Sequence, residues 1–171
     1  SYVAKKLNLK GLPIKAVNTL VYKNLFRKFL KKNNFNYPEF KIFRSKEKIN
    51  NFIDKIGYPF FIKPIDSSGS KGVTKVVKKI FIKKAISEAL NYSKKKKFII
   101  ERIIERKGYQ IAGDGFVMNK KLVFRCWGDE HFNEKLNGLI TIGPSLPSVH
   151  QEKKFKIAHQ ETQRIIDLLG I

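Results

Sequence analysis

Between Gly57 and Gly72 the chain reads as an apolar strand, Pro59-Phe60-Phe61-Ile62, that ends on Lys63-Pro64 and runs into a small, hydroxyl-rich loop, Ser67-Ser68-Gly69-Ser70-Lys71-Gly72. An ammonium at the end of a buried strand is costly unless an anion meets it. Gly and Ser let backbone N–H groups approach an anion with no Cβ in the way. Together these residues read as a phosphate clamp. The following Val73-Thr74-Lys75-Val76-Val77 has strand chemistry, so the loop joins two strands. A Walker-type loop would instead open a helix and end in Gly-Lys-Ser/Thr. The pattern therefore demands a sheet with a long, exposed loop between neighbouring strands.

At 171 residues the chain can bury one core, as one domain or two small lobes, and 42% apolar content is that of a globular protein. Cys126 is the sole cysteine, which excludes an internal disulfide. Neither a signal-type apolar core near the N-terminus nor a run of the ~20 apolar residues a membrane helix needs is present. A cytoplasmic protein with no membrane partner is the expectation. The +22 charge comes mostly from lysines spread along the chain, with only six arginines. A nucleic-acid reader concentrates basic residues on one element and favours Arg. The lysines are read as solvated faces that attract polyanions non-specifically at low salt.

Apolar residues at helical spacing predict four helices, around Leu25–Leu30, Ile49–Ile56, Ile82–Leu90 and Phe155–Leu169. Strands are expected near Glu39–Phe43, Pro59–Ile65, Val73–Lys78, Phe98–Ile104, Tyr109–Met118 and Leu122–Trp127, with a further one at Leu139–Ile142. Asn119-Lys120 reads as a hairpin turn, Lys94 to Lys97 as a surface turn, and Gly128–His150 as an ordered but irregular loop. The order of elements is α+β rather than a βαβ repeat.

Several segments taken together resemble the ATP-grasp superfamily, specifically its carbamoyl-phosphate-synthetase-like carboxylate ligases. Val21-Tyr22-Lys23-Asn24-Leu25-Phe26-Arg27, with Pro38 one helix later, is similar to that family's entry helix. The Gly57 to Val73 segment is similar to its phosphate strand and flexible glycine loop. Phe98-Ile99-Ile100-Glu101-Arg102-Ile103-Ile104 resembles its adenine hinge, and Gly143 with Pro147-Ser148 resembles a late segment. The resemblance implies ATP as ligand, with Lys63 and Lys23 on phosphates and Ser67, Ser68, Gly69, Ser70 and Gly72 as a lid. It also implies that the Glu101 carbonyl and the Ile104 N–H meet adenine. Read without it, Lys63 is an edge lysine keeping its head in water, Lys23 a surface helix residue, Gly69 and Gly72 parts of a hairpin, and Glu101 an exposed strand end.

Three departures from the family pattern stand out. Where relatives carry Gly-x-Glu for the ribose, this chain has Gly108-Tyr109-Gln110, which makes Gln110 the candidate and Glu105 a substitute. Where relatives carry a phosphate lysine, it has Asp129-Glu130-His131, with Arg125 a possible replacement charge and His131 a surface or substrate-facing residue. Cys126 and Trp127 read as core residues. No Glu-x-Asn pair for Mg²⁺ is found, so the metal ligands are expected outside this chain, which looks like the middle of a longer ligase and inactive alone; a site within it would draw on Asp114, Asp129, Glu130 and Glu134.

The expected architecture is an ATP-grasp fold of α+β class with nucleotide between two lobes, incomplete at its C-terminus. It comprises an entry segment at 1–38, a first lobe at 39–97 and a second at 98–171. The implied activity is transfer of the ATP γ-phosphate to an unidentified carboxylate, giving an acylphosphate open to an amine or similar nucleophile. The alternatives are a non-catalytic nucleotide-binding module and a basic nucleic-acid-binding domain.

Overall fold

The computed structural model describes residues 1–44, 48–133 and 138–171. In chain order the elements are α1 (Tyr2–Lys6), α2 (Ile14–Val21), α3 (Lys23–Lys32), β1 (Phe40–Phe43), α4 (Asn50–Ile56), β2 (Phe60–Pro64), β3 (Thr74–Val76), α5 (Ile82–Asn91), β4 (Phe98–Arg102), β5 (Gln110–Met118), β6 (Lys121–Phe132), β7 (Thr141–Ser145) and α6 (Glu152–Leu169); a 3₁₀ turn at Lys79–Phe81 leads into α5. They form two compact units, Asn18–Glu105 and Ser1–Val17 with Arg106–Ile171.

The Asn18–Glu105 unit is built on a four-stranded antiparallel sheet in the order β1-β4-β2-β3. Strand alternation decides its two faces. Phe60, Ile62 and Pro64 of β2 are buried, while Phe61 and Lys63 between them are half-buried. Phe60, Ile62, Val76, Phe98 and Ile100 join Phe52, Ile53 and Ile56 of α4 and Ile82, Ala85 and Ala89 of α5 in one core. The helical residues recur every three or four positions, which puts them on one stripe. Gly57 ends α4 at φ +69°, a conformation cheap only for glycine. The central strand β4 is covered on both faces through Glu101.

The second unit carries the three-stranded antiparallel sheet β5-β6-β7. Its β5–β6 hairpin turns at Asn119 and Lys120, both at positive φ as a type I′ turn requires. Helix α6 is bound to β6: the Leu122 N–H donates to Gln163 Oε1 at 2.8 Å, and the Trp127 and Phe155 rings lie 6.3 Å apart. Among the described residues no helix is long and apolar enough to cross a membrane.

The four expected helices form, and α1 and α2 are additional. The units divide differently from the three segments read in the sequence. β4 lies between β1 and β2, so the first sheet's unit continues past residue 97 to Glu105. The stretch read as irregular is in part strand: β6 continues to Phe132, where β7 pairs with it from Asp129 onward.

Candidate functional site

The half-buried face of β2 carries Lys63, and β4 sets Glu101 opposite Phe61 on that same face. A diagonal neighbour across a strand pair is within reach of a long side chain, and the Lys63 Nζ donates to Glu101 Oε1. Helix α3 reaches this face from its first turn. The Lys23 backbone N–H donates to the Ile65 carbonyl at 2.9 Å, fixing the helix start to the strand end. One turn on, Arg27 stands over the same surface, as an i,i+4 pair must. Its Nε donates to Glu101 Oε2 at 3.0 Å and a terminal nitrogen donates to Oε1 at 3.4 Å. The Lys23 Nζ donates to the Ser67 carbonyl at the mouth of the loop.

Two cations, Lys63 and Arg27, thus share one nearly inaccessible carboxylate, 2% exposed, while Lys23 is held at the loop beside them. Burial works to raise the Glu101 carboxyl, but the charges and hydrogen bonds of Lys63 and Arg27 outweigh it and hold the group below the usual carboxylate range. Burial, then repulsion from Lys63, lowers Lys23, with Glu101 and Asp66 pulling the other way. A partly desolvated excess of positive charge is suited to an anion.

The loop beyond β2 returns as β3 in the same sheet, so the strand–loop–strand reading is what the chain forms. Ser67 Oγ donates to the Lys71 carbonyl at 3.1 Å, and the N–H groups of Lys71 and Val73 close turns onto the Ser68 and Ser70 carbonyls. Ser68, Gly69 and Ser70 are exposed, and Gly69, Ser70 and Gly72 all have positive φ. Gly72 is buried where a Cβ would come within 3.0 Å of Tyr92 and 3.2 Å of Pro64.

The structure therefore brings Lys23, Lys63, Glu101 and the Ser67–Gly72 loop together and adds Arg27. Ile104 lies past the end of β4, exposed, as does Glu105. Gln110 opens β5 in the other unit, opposite Glu130. Glu101 is buried, not an exposed strand end. Arg125 does not stand free: one guanidinium nitrogen donates to the Phe155 carbonyl and another to Glu152 Oε1, both at 2.7 Å. Cys126 is exposed, not core, because it alternates with the α6-facing Arg125 and Trp127. Asp129 is buried, accepting from Ser148 Oγ at 2.5 Å and the Val149 N–H at 2.8 Å. His131 approaches Ser145 Oγ at 2.9 Å. Glu134 lies outside the described residues. Among the described residues no three His, Cys, Asp or Glu side chains gather as a metal-holding group.

A family model described as "D-ala D-ala ligase C-terminus" matches residues 29–122. The chain belongs to this D-Ala–D-Ala ligase C-terminal family, within the ATP-grasp ligases. D-alanine–D-alanine ligase B of Clostridium perfringens is 39% identical over 91 residues, 53% of this chain and 29% of that protein. The vancomycin C-type resistance protein VanC1 of Enterococcus gallinarum is 31% identical over 133 residues, 72% of this chain and 37% of that protein. The crystal structure of D-alanine–D-alanine ligase from Helicobacter pylori superposes with a TM-score of 0.68 at 20% identity, over 98% of this chain and 53% of that one. This D-Ala–D-Ala ligase-type chain spans about a third of the curated relatives and about half of the solved ligase. The family match takes in Lys63, the loop and Glu101, and it begins after Lys23 and Arg27.

Proposed function

We propose that this chain supplies the ATP-binding part of a ligase that activates a carboxylate as an acylphosphate for attack by an amine or similar nucleophile. The observation that carries this reading is the pairing of Arg27 and Lys63 with Glu101, together with Lys23 bound to the Ser67 carbonyl at the mouth of the glycine–serine loop. ATP, when bound, supplies the γ-phosphate. Lys63 and Lys23 bind and orient phosphate oxygens, as charge-assisted donors do. Ser67, Ser68, Gly69, Ser70 and Gly72 fold over them and exclude water. The Glu101 carbonyl and Ile104 N–H offer the pair of backbone groups that adenine's edge requires, and Gln110 can hydrogen-bond a ribose diol. The donor set suits triphosphate. It does not suit Mg²⁺, which needs several oxygen ligands, so Mg²⁺ is assigned to residues beyond those described and no step is derived through it. Two relatives are named as ligases of D-alanine to D-alanine, so an amino-acid carboxylate and an amino-acid amine are the first substrates to try. The proposed compartment is the cytoplasm. Family membership leaves the non-catalytic module and the nucleic-acid-binding domain without comparable support.

The test is calorimetric titration of ATP into the wild-type chain and Lys63→Ala at two salt concentrations. Loss of the lysine should weaken binding by about 1.5–3 kcal/mol, the worth of hydrogen bonds to a charged group. Wild-type affinity in the variant would end the phosphate assignment. A collapse of wild-type binding with salt, of the size seen for polyanions, would favour a purely electrostatic surface over a nucleotide slot.

A further inference from the structure

From Ser67 to Ser87 the chain has six lysines, Lys71, Lys75, Lys78, Lys79, Lys83 and Lys84, and not one acidic residue. All six are exposed, and none makes an ion pair among the described residues. They run from Lys71 in the Ser67–Gly72 loop past β3, the outer strand of its sheet, through the 3₁₀ turn and into the first turn of α5. Cations at a helix N-terminus oppose the macrodipole, and α5 has no acid in its first turn to offset Lys83 and Lys84. The nearest is Glu88, one turn beyond Lys84. An edge lysine alone protects a sheet from pairing with other chains. Here the lysines instead rim an apolar tip: Val77 is 49% exposed, Ile80 80% and Phe81 45%.

We propose that this tip is a docking surface for an anionic phospholipid bilayer, lying on the membrane without crossing it. Clusters of four to eight lysines bind the negative cytoplasmic leaflet at about 1 kcal/mol each. Exposed aliphatic side chains beside them sink into the headgroup–acyl boundary. Nucleic acid would use the lysines and could stack on Phe81, but the most exposed side chain of the tip, Ile80, and its neighbour Val77 offer it neither a hydrogen bond nor a stacking face. The surface adds a peripheral membrane contact where the sequence suggests no membrane partner.

The whole chain carries +22, so any polyanion attracts it, and the test must separate this surface from general charge. Sedimentation with phosphatidylcholine vesicles, with and without phosphatidylglycerol, compares four proteins. They are wild type, Ile80→Ser with Phe81→Ser, the four changes Lys78→Gln, Lys79→Gln, Lys83→Gln and Lys84→Gln, and a charge-matched control with Lys5, Lys6, Lys31 and Lys32 changed to Gln. Wild type should bind only the anionic vesicles. The local lysine variant should lose about tenfold or more in partitioning, and clearly more than the control. The apolar variant, with its charge intact, should also release at raised salt. Equal losses in the lysine variant and the control would overturn the proposal. So would an apolar variant that binds like wild type, and in that case a greater loss of duplex-DNA binding in the local lysine variant than in the charge-matched control would identify nucleic acid as the partner. Should the multiple variants fail to fold, Ile80→Trp serves alone. Its fluorescence should shift to the blue with anionic vesicles, and an unchanged spectrum overturns the proposal.

Discussion

Glu101 holds two cations from different elements, Lys63 of β2 and Arg27 of α3. Removing one member of a buried pair leaves the others uncompensated, at about 3–5 kcal/mol. Glu101→Gln should therefore destabilise the Asn18–Glu105 unit by roughly that amount in denaturant titration. The pH dependence has a definite sign. The folded-state carboxyl is held below its unfolded value of about 4.3. Its contribution is complete above about pH 4.3 and fades as pH falls through the depressed folded value. The stability gap between wild type and Glu101→Gln should therefore narrow in acid; a gap constant from pH 7 to pH 2 would contradict the ion pair. Residue by residue, the site was unevenly legible. Lys63 announces itself, because a lysine between an apolar strand and a glycine loop has few other uses. Arg27 does not. Its only sequence signal is its four-residue spacing from Lys23, and its partner lies 74 positions away across a sheet register that no local pattern encodes.

At the scale of elements, the Ser67–Gly72 loop contains two glycines that differ in what they permit. Gly69 has φ +60° with nothing within 4 Å of a built Cβ, whereas Gly72 combines φ +71° with contacts at 3.0 Å. Gly69→Ala should cost only the left-handed conformation, about 1–2 kcal/mol. Gly72→Ala adds overpacking against Tyr92 and Pro64, typically a further 1–3 kcal/mol. Thermal unfolding of the two variants should rank them in that order, and equal shifts would mean that Gly72 is not packed as described. The helices α3 to α6 were legible because apolar residues recur in each at helical spacing. Helix α2 carries apolar residues at the same spacing, Ile14, Val17 and Val21, and is nonetheless absent from the sequence reading; it buries only Ala16. The far half of β6 was hidden by its polar residues. Asp129-Glu130-His131 reads as loop, yet Asp129 is buried with its oxygens satisfied by Ser148 and Val149. A polar residue becomes compatible with a strand interior once partners from another segment meet it, and those partners lie 19 and 20 residues away.

On the scale of the whole molecule, apolar burial is divided very unequally. Among the described residues, every buried hydrophobic side chain lies within Asn18–Glu105 except Ala16, Leu122 and Ile166. The contiguous core of Phe43, Phe52, Phe60, Ile62, Phe98, Ile100 and their neighbours belongs wholly to that unit. The sheet β5-β6-β7 instead exposes Phe116, Met118, Val123, Phe124 and Ile142. Each fully buried large side chain contributes about 1.5–3 kcal/mol relative to exposure, so the two units cannot share one stability. Local opening should follow that division, since amides in regions with few buried apolar contacts exchange at lower free energy. Native-state hydrogen exchange should find β2 and β4 protected to the highest free energy, with β5, β6 and β7 exchanging through a separate and cheaper opening. In rising denaturant the β4 amides should merge last with global unfolding. Protection of β5 and β6 equal to that of β4 would show the chain to be a single cooperative body. It would also mean that contacts other than buried apolar area hold the second sheet.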